Sequence, residues 1–428
     1  MKTTIIIKQI TALLALLAML TVLSCHKEED QIVNQTENHF RGELVSFSEM
    51  GTLTPQDILQ LIGPAKNEFP LDLEYSVKAY SATYYTVDAH EQVQLVSGAI
   101  FVPVGQNNLP LLSIQHGTAC LREKVASVDP ASTSEGIGSM IGASMGFFTI
   151  TCDYIGFGVS NEPHPYMHAE SLVPSVIDFI QAGKTFAGEK QLALNGQVFL
   201  TGYSEGGYIS LAAQKEIEEN YSEEISLEGV APMAGPYDFS TMITDVFTSS
   251  EYPLSAYFAY FFKAYNEIYN WSKLEYIFKD PYTSMVPELF NGTKTWGQVI
   301  NQLPASITEL LREAFIMDYL EGSAPYIASA IEDNTLLDWK PGSPVHFIHG
   351  DADQLVPLYH AQNALEAFSS AGATHVTLTT IPGGAHETAG PEALITALAW
   401  IKEIQKSLSL STKKAECPKT KKLTAAVS

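Results

Sequence analysis

From residue 111 onward the chain alternates between short, continuously apolar runs and longer segments whose apolar residues recur with a helical period. A short run that is apolar at every position is typical of a strand covered on both faces, as in a parallel sheet. Strands that alternate with helices form right-handed βαβ units, so we expect the α/β class, with one mostly parallel central sheet and helices on both its faces. The predicted strands are residues 111–114, 146–151, 198–201, 229–233, 345–348 and 378–381, and the predicted helices are residues 171–183, 208–219, 360–370 and 391–404.

Three further segments complete this outline. The alternating pattern of residues 75–103, broken by polar residues at 88–92, predicts two antiparallel edge strands joined by a turn. Residues 240–339 are rich in Tyr, Phe and Met and lack strand patterns, which predicts a helical cap inserted over the sheet; a separate domain is the alternative. We therefore expect an α/β core over residues 41–239 and 340–406, with residues 407–428 as a disordered tail without apolar period.

The N-terminus has the pattern of an export signal. Residues 1–24 carry two lysines ahead of an apolar run that is shorter than the roughly 20 residues of a spanning helix, which predicts a signal peptide. The sequence Val-Leu-Ser-Cys, ending at Cys25, resembles a bacterial lipobox and predicts lipidation of Cys25, with residues 25–40 as the linker; a chance cysteine after an ordinary secretory peptide is the alternative. The Lys-Glu-Glu-Asp sequence that follows at residues 27–30 resembles an export signal of Bacteroidetes lipoproteins. We expect an outer-membrane lipoprotein exposed at the cell surface, with the periplasmic face as the alternative.

The charge and the cysteines limit the partners of the chain. With 48 acidic and 24 basic residues the formal net charge is −24, so we expect no nucleic-acid partner and favour uncharged substrates. Membrane contact is expected only through the N-terminal lipid. Besides Cys25 there are Cys120, Cys152 and Cys417, too few for a disulfide scaffold in a chain of this length. A bridge between Cys120 and Cys152 stays open, since both lie near the ends of predicted strands.

The sequence Gly-Tyr-Ser-Glu-Gly at residues 202–206 follows a predicted strand and precedes a helical segment. This is the Gly-x-Ser-x-Gly pattern in the strand-turn-helix context that a nucleophile elbow requires. Gly202 and Gly206 have a steric reason, because a Cβ atom at either position would collide within the tight turn. We therefore predict that Ser204 is a catalytic nucleophile.

Backbone N–H groups near this serine are candidates for an oxyanion hole. The N–H of Glu205 opens the following helix, whose dipole also stabilises negative charge. The second donor is expected in the turn after the strand at 111–114, where we predict the N–H of Thr118 first and of Gly117 second. We interpret the His116 side chain as a structural turn residue. The Glu205 carboxylate is interpreted as a first-turn acid of the helix, with an influence on substrate choice as the alternative.

A general base and an acid to orient it are expected after the last two strands. His386 ends a loop of small residues behind the final strand, where an imidazole can face the elbow. The pattern His-Gly-x-x-Asp-x-x-Val-Pro at residues 349–357 selects Asp353 as the acid, and we expect the neighbouring Asp351 to hydrogen-bond the loop. Two further histidines of this region are predicted to lie at the surface: His360 and His375.

The order Ser204, Asp353, His386 along the chain is that of the α/β-hydrolase superfamily. The sequence Asp-Tyr-Ile-Gly-Phe-Gly, which begins at Asp153, resembles the turn after the fourth strand in the secretory lipase and esterase branch of that superfamily. Residues 75–404 therefore resemble that branch. The resemblance implies an α/β-hydrolase fold, an architectural role for the Asp-Tyr turn, and a serine hydrolase that cleaves carboxylic esters through an acyl-enzyme. A peptidase or amidase of the same fold and a surface-binding lipoprotein without catalysis are the alternatives.

The remaining patterns in the sequence do not indicate a metal or cofactor site. His164 and His168 lie four residues apart, but Pro165 and the absence of a His-Glu-x-x-His pattern argue against a zinc site. The glycines of residues 136–142 lack the spacing of a dinucleotide loop, so we expect no cofactor and no metal. The aromatic residues of the cap are interpreted as helix packing, with an acyl pocket or a sugar- or aryl-binding surface as the alternative: Tyr257, Phe258, Tyr260, Phe261, Phe262, Tyr265, Tyr269 and Trp271.

Overall fold

The computed structural model describes residues 39–63, 72–249 and 252–416. The predicted signal peptide, Cys25 and nearly all of the predicted linker lie outside these residues. The strands are β1 (Leu44–Leu53), β2 (Val77–Val87), β3 (Val93–Pro103), β4 (Leu109–Gln115), β5 (Phe148–Cys152), β6 (Leu194–Tyr203), β7 (Ser226–Met233), β8 (Val345–Gly350) and β9 (Val376–Ile381). They form one sheet in the order β1-β2-β3-β5-β4-β6-β7-β8-β9.

The helices of the described residues fall into two groups. Those that pack on the sheet are α1 (Pro55–Ile62), α2 (Ser134–Ser144), α3 (Ala169–Glu189), α4 (Glu205–Asn220), α13 (Tyr359–Ser370) and α14 (His386–Glu416). Those between β7 and β8 are α5 (Phe239–Ser249), α6 (Ala256–Ile268), α7 (Leu274–Ile277), α8 (Tyr282–Leu289), α9 (Trp296–Ile300), α10 (Ile307–Leu310), α11 (Glu313–Leu320) and α12 (Pro325–Asp333).

Strands β4 to β8 coincide with the continuously apolar runs of the sequence, whereas β9 is a half-exposed edge strand. Neighbours among β4 to β9 pair in parallel. Successive residues of a strand point to opposite faces of the sheet. Leu200 of β6 therefore joins the hydrophobic cluster that includes α3 and α4, whereas Phe199 joins the cluster that includes α2 and α14. The predicted α/β class, with helices on both faces of a mostly parallel sheet, is confirmed.

The hairpin predicted over residues 75–103 is present, since β2 and β3 pair antiparallel with Val77 opposite Pro103. The prediction that these strands form the edge is wrong. β1 pairs antiparallel with the outer side of β2, and β3 pairs antiparallel with β5. No residue of β1 is fully buried, so this half-exposed strand lacks the apolar pattern by which the others are recognised.

The last helix, α14, is longer than the sequence predicted, because it continues to Glu416, well into the segment expected to be a disordered tail. Ile401 and Ile404 pack against the sheet, and Leu408 follows at helical spacing and packs on the same cluster. The apolar period therefore extends past residue 407. Residues 417–428 lie outside the described residues.

The helices between β7 and β8 pack on one another and on the core largely through aromatic rings. Phe239 of α5 lies 5.2 Å from Tyr208 of α4, measured between ring centroids, and Phe247 lies 6.0 Å from Phe262 and 5.9 Å from Phe315. This helical layer supplies part of the wall of the cavity described below. No helix in the described part of the chain is long and apolar enough to cross a membrane.

Candidate active site

The turn between β6 and α4 has a strained backbone at Ser204. Its φ of 59° and ψ of −120° form a combination that non-glycine residues rarely adopt. A Cβ atom on Gly202 would lie 2.4 Å from the Gly206 carbonyl oxygen, and one on Gly206 would lie 2.1 Å from the Gln115 carbonyl oxygen. The turn therefore needs glycine at both positions, and it presents the serine between the end of a strand and the start of a helix.

A hydrogen-bonded chain runs from Ser204 to Asp353 through His386. The Ser204 Oγ lies 2.9 Å from Nε2 of His386, and Nδ1 of His386 lies 2.6 Å from Oδ2 of Asp353. All three residues are buried. They lie in three loops, behind β6, β8 and β9, at the carboxyl ends of parallel strands. The fold thus brings together the residues that the sequence predicts as nucleophile, acid and base.

The Asp353 carboxylate is held by several groups besides His386. Its Oδ1 accepts hydrogen bonds from the N–H groups of Leu355 and Val356, at 3.0 and 2.8 Å. Nε2 of His349 donates to the Val356 carbonyl oxygen at 2.7 Å and lies 3.6 Å from Asp353 Oδ2. Burial alone would raise the pKa of Asp353, but the hydrogen bonds from His349, His386 and the backbone lower it from 3.8 to about 2. Asp353 is therefore ionised at neutral pH and stabilises positive charge on His386.

Contacts on either side fix the ring of His386. Because a carboxylate only accepts hydrogen bonds, the imidazole proton lies on Nδ1, which leaves Nε2 free to accept from the Ser204 hydroxyl. The Tyr203 hydroxyl donates to the His386 carbonyl oxygen at 2.6 Å. In the loop ahead of the histidine, the N–H of Gly383 donates to Asp351 at 2.6 Å, so this aspartate joins the loop behind β8 to the loop behind β9 rather than only bonding its own loop.

The loop after β4 approaches the nucleophile at Gly117, where an added Cβ atom would lie 3.8 Å from Ser204 Cβ. The buried ring of His116 places Nδ1 2.8 Å from the Gly117 carbonyl oxygen and Nε2 3.0 Å from the Asp153 carbonyl oxygen. The C=O and N–H of one trans peptide point in opposite directions, so this contact turns the N–H of Thr118 away from His116. His116 therefore fixes the peptide that carries the predicted second donor.

The Glu205 side chain forms a second carboxylate–histidine pair beside the nucleophile. It is fully buried, and its Oε1 lies 2.9 Å from Nε2 of His164. Nδ1 of His164 lies 2.8 Å from the Ile155 carbonyl oxygen, so this nitrogen carries a proton. Oε2 of Glu205 has no hydrogen-bond partner within the described residues. Glu205 does stand in the first turn of α4, but its carboxylate binds the loop behind β5 rather than solvent.

The prediction that His360 lies at the surface is wrong, because its side chain is fully buried. Its Nδ1 accepts a hydrogen bond from the Asp238 N–H at 3.1 Å, and burial lowers its pKa to about 3. A helical segment does not reveal which of its faces is buried, and His360 lies on the face that meets the loop behind β7. His375 is exposed, as expected.

Sequence reasoning also missed three side chains that support the site: His349, His164 and Tyr203. His349 stands within the pattern that selected Asp353, so its spacing offered a signal. Tyr203 directly precedes the nucleophile, but nothing in the sequence indicates that its hydroxyl reaches the loop of His386. His164 lies 41 residues from its partner Glu205 and carries no local signal.

An apolar cavity of about 40 Å³ opens onto Ser204 and His386. Of the aromatic residues predicted in the cap, Tyr257, Phe258 and Phe261 line this cavity. The others serve helix packing, as Phe262 does against Phe315 with ring centroids 4.9 Å apart. Most of the aromatic segment therefore serves helix packing, as predicted, and three of its residues also line the cavity.

Two further sequence questions concern metals and thiols. Among the residues that the structure describes, no group of three or more His, Cys, Asp or Glu side chains comes together in a way that could hold a metal ion. Cys120 and Cys152 are buried free thiols. His168, the other half of the pair considered for zinc, instead contacts Ser171 through Nδ1 at 2.8 Å.

Comparison with known proteins places this geometry among lipases and esterases. Residues 140–407 match the model of the secretory lipase family. A protein of Legionella pneumophila that is provisionally described as a hydrolase has a similar structure, with a TM-score of 0.79 and 24% sequence identity over 85% of this chain and 98% of that one. No curated protein sequence matches the chain.

Two characterised enzymes share the fold. The rice cell wall degrading esterase LipA of Xanthomonas oryzae is 26% identical, with a TM-score of 0.75 over 85% of this chain and 98% of that one. Candida antarctica lipase A in its closed state is 16% identical, with a TM-score of 0.67 over 87% of this chain and 84% of that one. The architecture is that of an α/β-hydrolase.

Proposed function

The chain belongs to the secretory lipase family, and from that premise we propose that it hydrolyses carboxylic esters through an acyl-enzyme formed on Ser204. The observation that carries this proposal is the chain of contacts from Ser204 Oγ to His386 Nε2, at 2.9 Å, and from His386 Nδ1 to Asp353 Oδ2, at 2.6 Å. A serine on a strained elbow, an imidazole of the correct tautomer and an ionised carboxylate are the parts that acyl transfer needs.

In the first half of the reaction, Ser204 Oγ attacks the carbonyl carbon of the ester and its proton passes to Nε2 of His386. The Asp353 carboxylate stabilises the resulting imidazolium. The negative charge that develops on the carbonyl oxygen is bound by the N–H groups of Glu205 and Thr118, with Gly117 as the alternative second donor. When the tetrahedral intermediate collapses, His386 returns the proton to the alcohol oxygen, and the alcohol leaves.

In the second half, a water molecule occupies the position that the alcohol has vacated. His386 takes one proton from this water, the oxygen attacks the acyl carbon, and the same N–H groups bind the second oxyanion. The acid then leaves and the proton returns to Ser204 Oγ. The same residues therefore act twice, and none of these steps requires a cofactor.

Labelling with a fluorophosphonate probe tests this proposal, because such a probe reacts only with an activated serine. We expect the wild-type protein to be labelled and to hydrolyse aryl esters, and we expect Ser204→Ala to do neither. Ser222→Ala, at an exposed serine, is the matched control and should behave as the wild type. Folded wild-type protein that is not labelled would contradict the proposal and favour a binding protein without catalysis. Cleavage of peptide amides at rates similar to those of esters would favour a peptidase.

We further propose that the enzyme is tethered to the outer membrane through a lipid on Cys25 and faces the cell exterior. The lipobox-like and acidic sequences at the N-terminus support this proposal. Incorporation of radiolabelled palmitate should be lost in Cys25→Ala, and protease added to intact cells should digest the wild-type protein. Labelled Cys25→Ala would refute the lipid anchor, and resistance to the protease would favour the periplasmic face.

A further inference from the structure

The cavity beside Ser204 is bounded by the packed interior of the helical layer. Its deep wall consists of side chains from α5 and α6, all of them buried: Phe239, Met242, Ile243, Phe258 and Phe261. None of the residues that line the cavity carries a full charge apart from what His386 acquires during catalysis. The cavity therefore suits an apolar group that needs no hydrogen bonds.

We propose that this cavity is the acyl site and that it limits the enzyme to short acyl groups of about two to four carbons. The inference rests on the proposed acyl-enzyme at Ser204. The cavity measures about 40 Å³, whereas an apolar protein cavity that takes one benzene molecule measures about 150 Å³. The cavity beside Ser204 is therefore too small for a chain of eight or twelve carbons.

The acyl group, rather than the alcohol, belongs in this cavity because of the order of bond cleavage. The acyl carbon stays attached to Ser204 through both halves of the reaction, whereas the alcohol must leave and water must enter before the second half begins. A cavity whose deep wall consists of buried apolar side chains suits the group that remains bound through both halves of the reaction. The alcohol oxygen must instead lie within reach of His386 Nε2, which gives it a proton when the bond to the acyl carbon breaks.

The wall is made of rings that pack on other rings, which sets its position. Phe258 lies 4.9 Å from Tyr252, and Phe261 stacks on Tyr265 at 3.9 Å and lies 5.2 Å from Phe239, measured between ring centroids. Closely packed interiors resist enlargement, so a longer chain would have to displace several rings together. The size limit therefore comes from the wall as a unit, and Phe258 and Phe261 determine specificity.

The first test compares p-nitrophenyl esters of acetate, butyrate, octanoate and laurate with the full-length wild-type enzyme. We expect the highest kcat/KM with acetate or butyrate and a fall of at least about 10-fold from butyrate to octanoate, since a single methylene that does not fit a pocket costs that much. A smaller fall, or a rise toward octanoate or laurate, would overturn the size limit.

Two neighbouring phenylalanines of α6 provide a matched pair of variants. Phe258→Ala removes part of the cavity wall and should raise the ratio of octanoate to acetate kcat/KM by at least about 10-fold. Phe262→Ala removes an equally buried ring that does not line the cavity and should leave that ratio unchanged. If either alanine variant fails to fold, Phe258→Leu and Phe262→Leu make the same comparison with a smaller change. Equal effects on the ratio in both variants would overturn the assignment of the wall.

Fluorophosphonate labelling of the same preparations separates this inference from the proposed function. Labelled enzyme that prefers long acyl esters would overturn the size limit and leave the serine mechanism standing. Folded enzyme that is neither labelled nor active on any of the four esters would overturn both.

Discussion

Two carboxylate–histidine pairs lie beside Ser204. In each pair one ring nitrogen faces the carboxylate, and the pairs differ in what the other ring nitrogen, here called the outer nitrogen, faces. In the Asp353–His386 pair the carboxylate is 2.6 Å from the ring, and the outer nitrogen lies 2.9 Å from the serine hydroxyl. In the Glu205–His164 pair the carboxylate is 2.9 Å from the ring, and the outer nitrogen lies 2.8 Å from a backbone carbonyl oxygen. A hydroxyl can donate a proton, whereas a carbonyl oxygen can only accept one.

This difference makes Asp353–His386 the reactive pair and Glu205–His164 the closed pair, whose two ring nitrogens are both occupied by other contacts. His386 keeps a free lone pair for the proton of Ser204, while His164 must hold a proton on its outer nitrogen and shares another with Glu205. His164 therefore offers no free lone pair to the serine. The role of the closed pair is positional, because it ties the residue after the nucleophile to the loop behind β5. The presence of a carboxylate beside a histidine therefore does not by itself identify a catalytic pair.

The largest effect is expected from the reactive pair. His386→Ala removes the only imidazole that contacts Ser204 in the described residues, and we expect kcat to fall by about 10,000- to 1,000,000-fold. Initial rates on an acetate ester measure the loss, and circular dichroism with thermal unfolding checks that the fold is kept. Activity above about 1% of wild type in a folded variant would show that another group serves as the base.

The next effect comes from exchanging the carboxylate of the reactive pair for an amide. We expect Asp353→Asn to lower kcat by about 1,000- to 10,000-fold, because an amide can fix the imidazole in the tautomer that cannot accept from Ser204. Asp351→Asn is the matched control, since that carboxylate binds the Gly383 N–H and does not touch the imidazole. Similar losses of kcat in the two variants would mean that the acid is the wrong aspartate.

The same exchange in the closed pair should have a much smaller effect. In Glu205→Gln the amide can donate to Nε2 of a neutral His164 and so preserve the contact, and we expect kcat within about 10-fold of wild type. Glu205→Ala leaves the buried imidazole without that partner, and we expect it to lower the unfolding free energy by about 1–3 kcal/mol. Kinetics and urea unfolding measure the two effects. A loss in Glu205→Gln as large as that in Asp353→Asn would place the second pair in the chemistry.

An effect similar in size to that of Glu205→Ala is expected in the pH dependence of stability. The pKa of Asp353 is lowered from 3.8 to about 2 in the folded protein, so folding favours its ionised form. That stabilisation is complete above about pH 4 and is lost as the pH falls toward 2, and it amounts to about 2 kcal/mol. Urea unfolding between about pH 6 and pH 2.5 should therefore show a steeper decline for wild type than for Asp353→Asn. Parallel declines in the two proteins would show that the carboxylate is not stabilised as described.

Most of the fold could be predicted from sequence because its signals are local. Continuous apolarity located β4 to β8, since a strand buried on both faces must be apolar at every position. The half-exposed β9 was predicted only from its place ahead of the loop that ends at His386. The same rule failed for Leu44–Leu53, because an edge strand is half exposed and its sequence does not have to be apolar. The helical period was likewise not recognised at Leu408, because too few apolar residues continue it beyond residue 404.

The candidate site divides in a similar way. The motif identifies the glycines at 202 and 206, but only Gly202 is required by the turn itself, since a Cβ atom on Gly206 would collide with Gln115 of β4. The chain order of Ser204, Asp353 and His386 follows from the order of the strands. The contacts that support the catalytic residues could not be predicted from the sequence. His164 and Glu205 stand 41 residues apart, and only the packing of the loop behind β5 against the elbow brings them together.

The sequence by itself determined every segment of the sheet except β1, where the sharp turn must lie and which three residues stand at the ends of parallel strands. These features depend on burial and steric exclusion over a few consecutive residues. Only the tertiary structure decided that one carboxylate–histidine pair faces a hydroxyl and the other a carbonyl oxygen, and that Phe258 lines a cavity while Phe262 does not. Those outcomes depend on which surfaces of distant segments meet, and a local pattern records that a side chain is buried without recording what it is buried against.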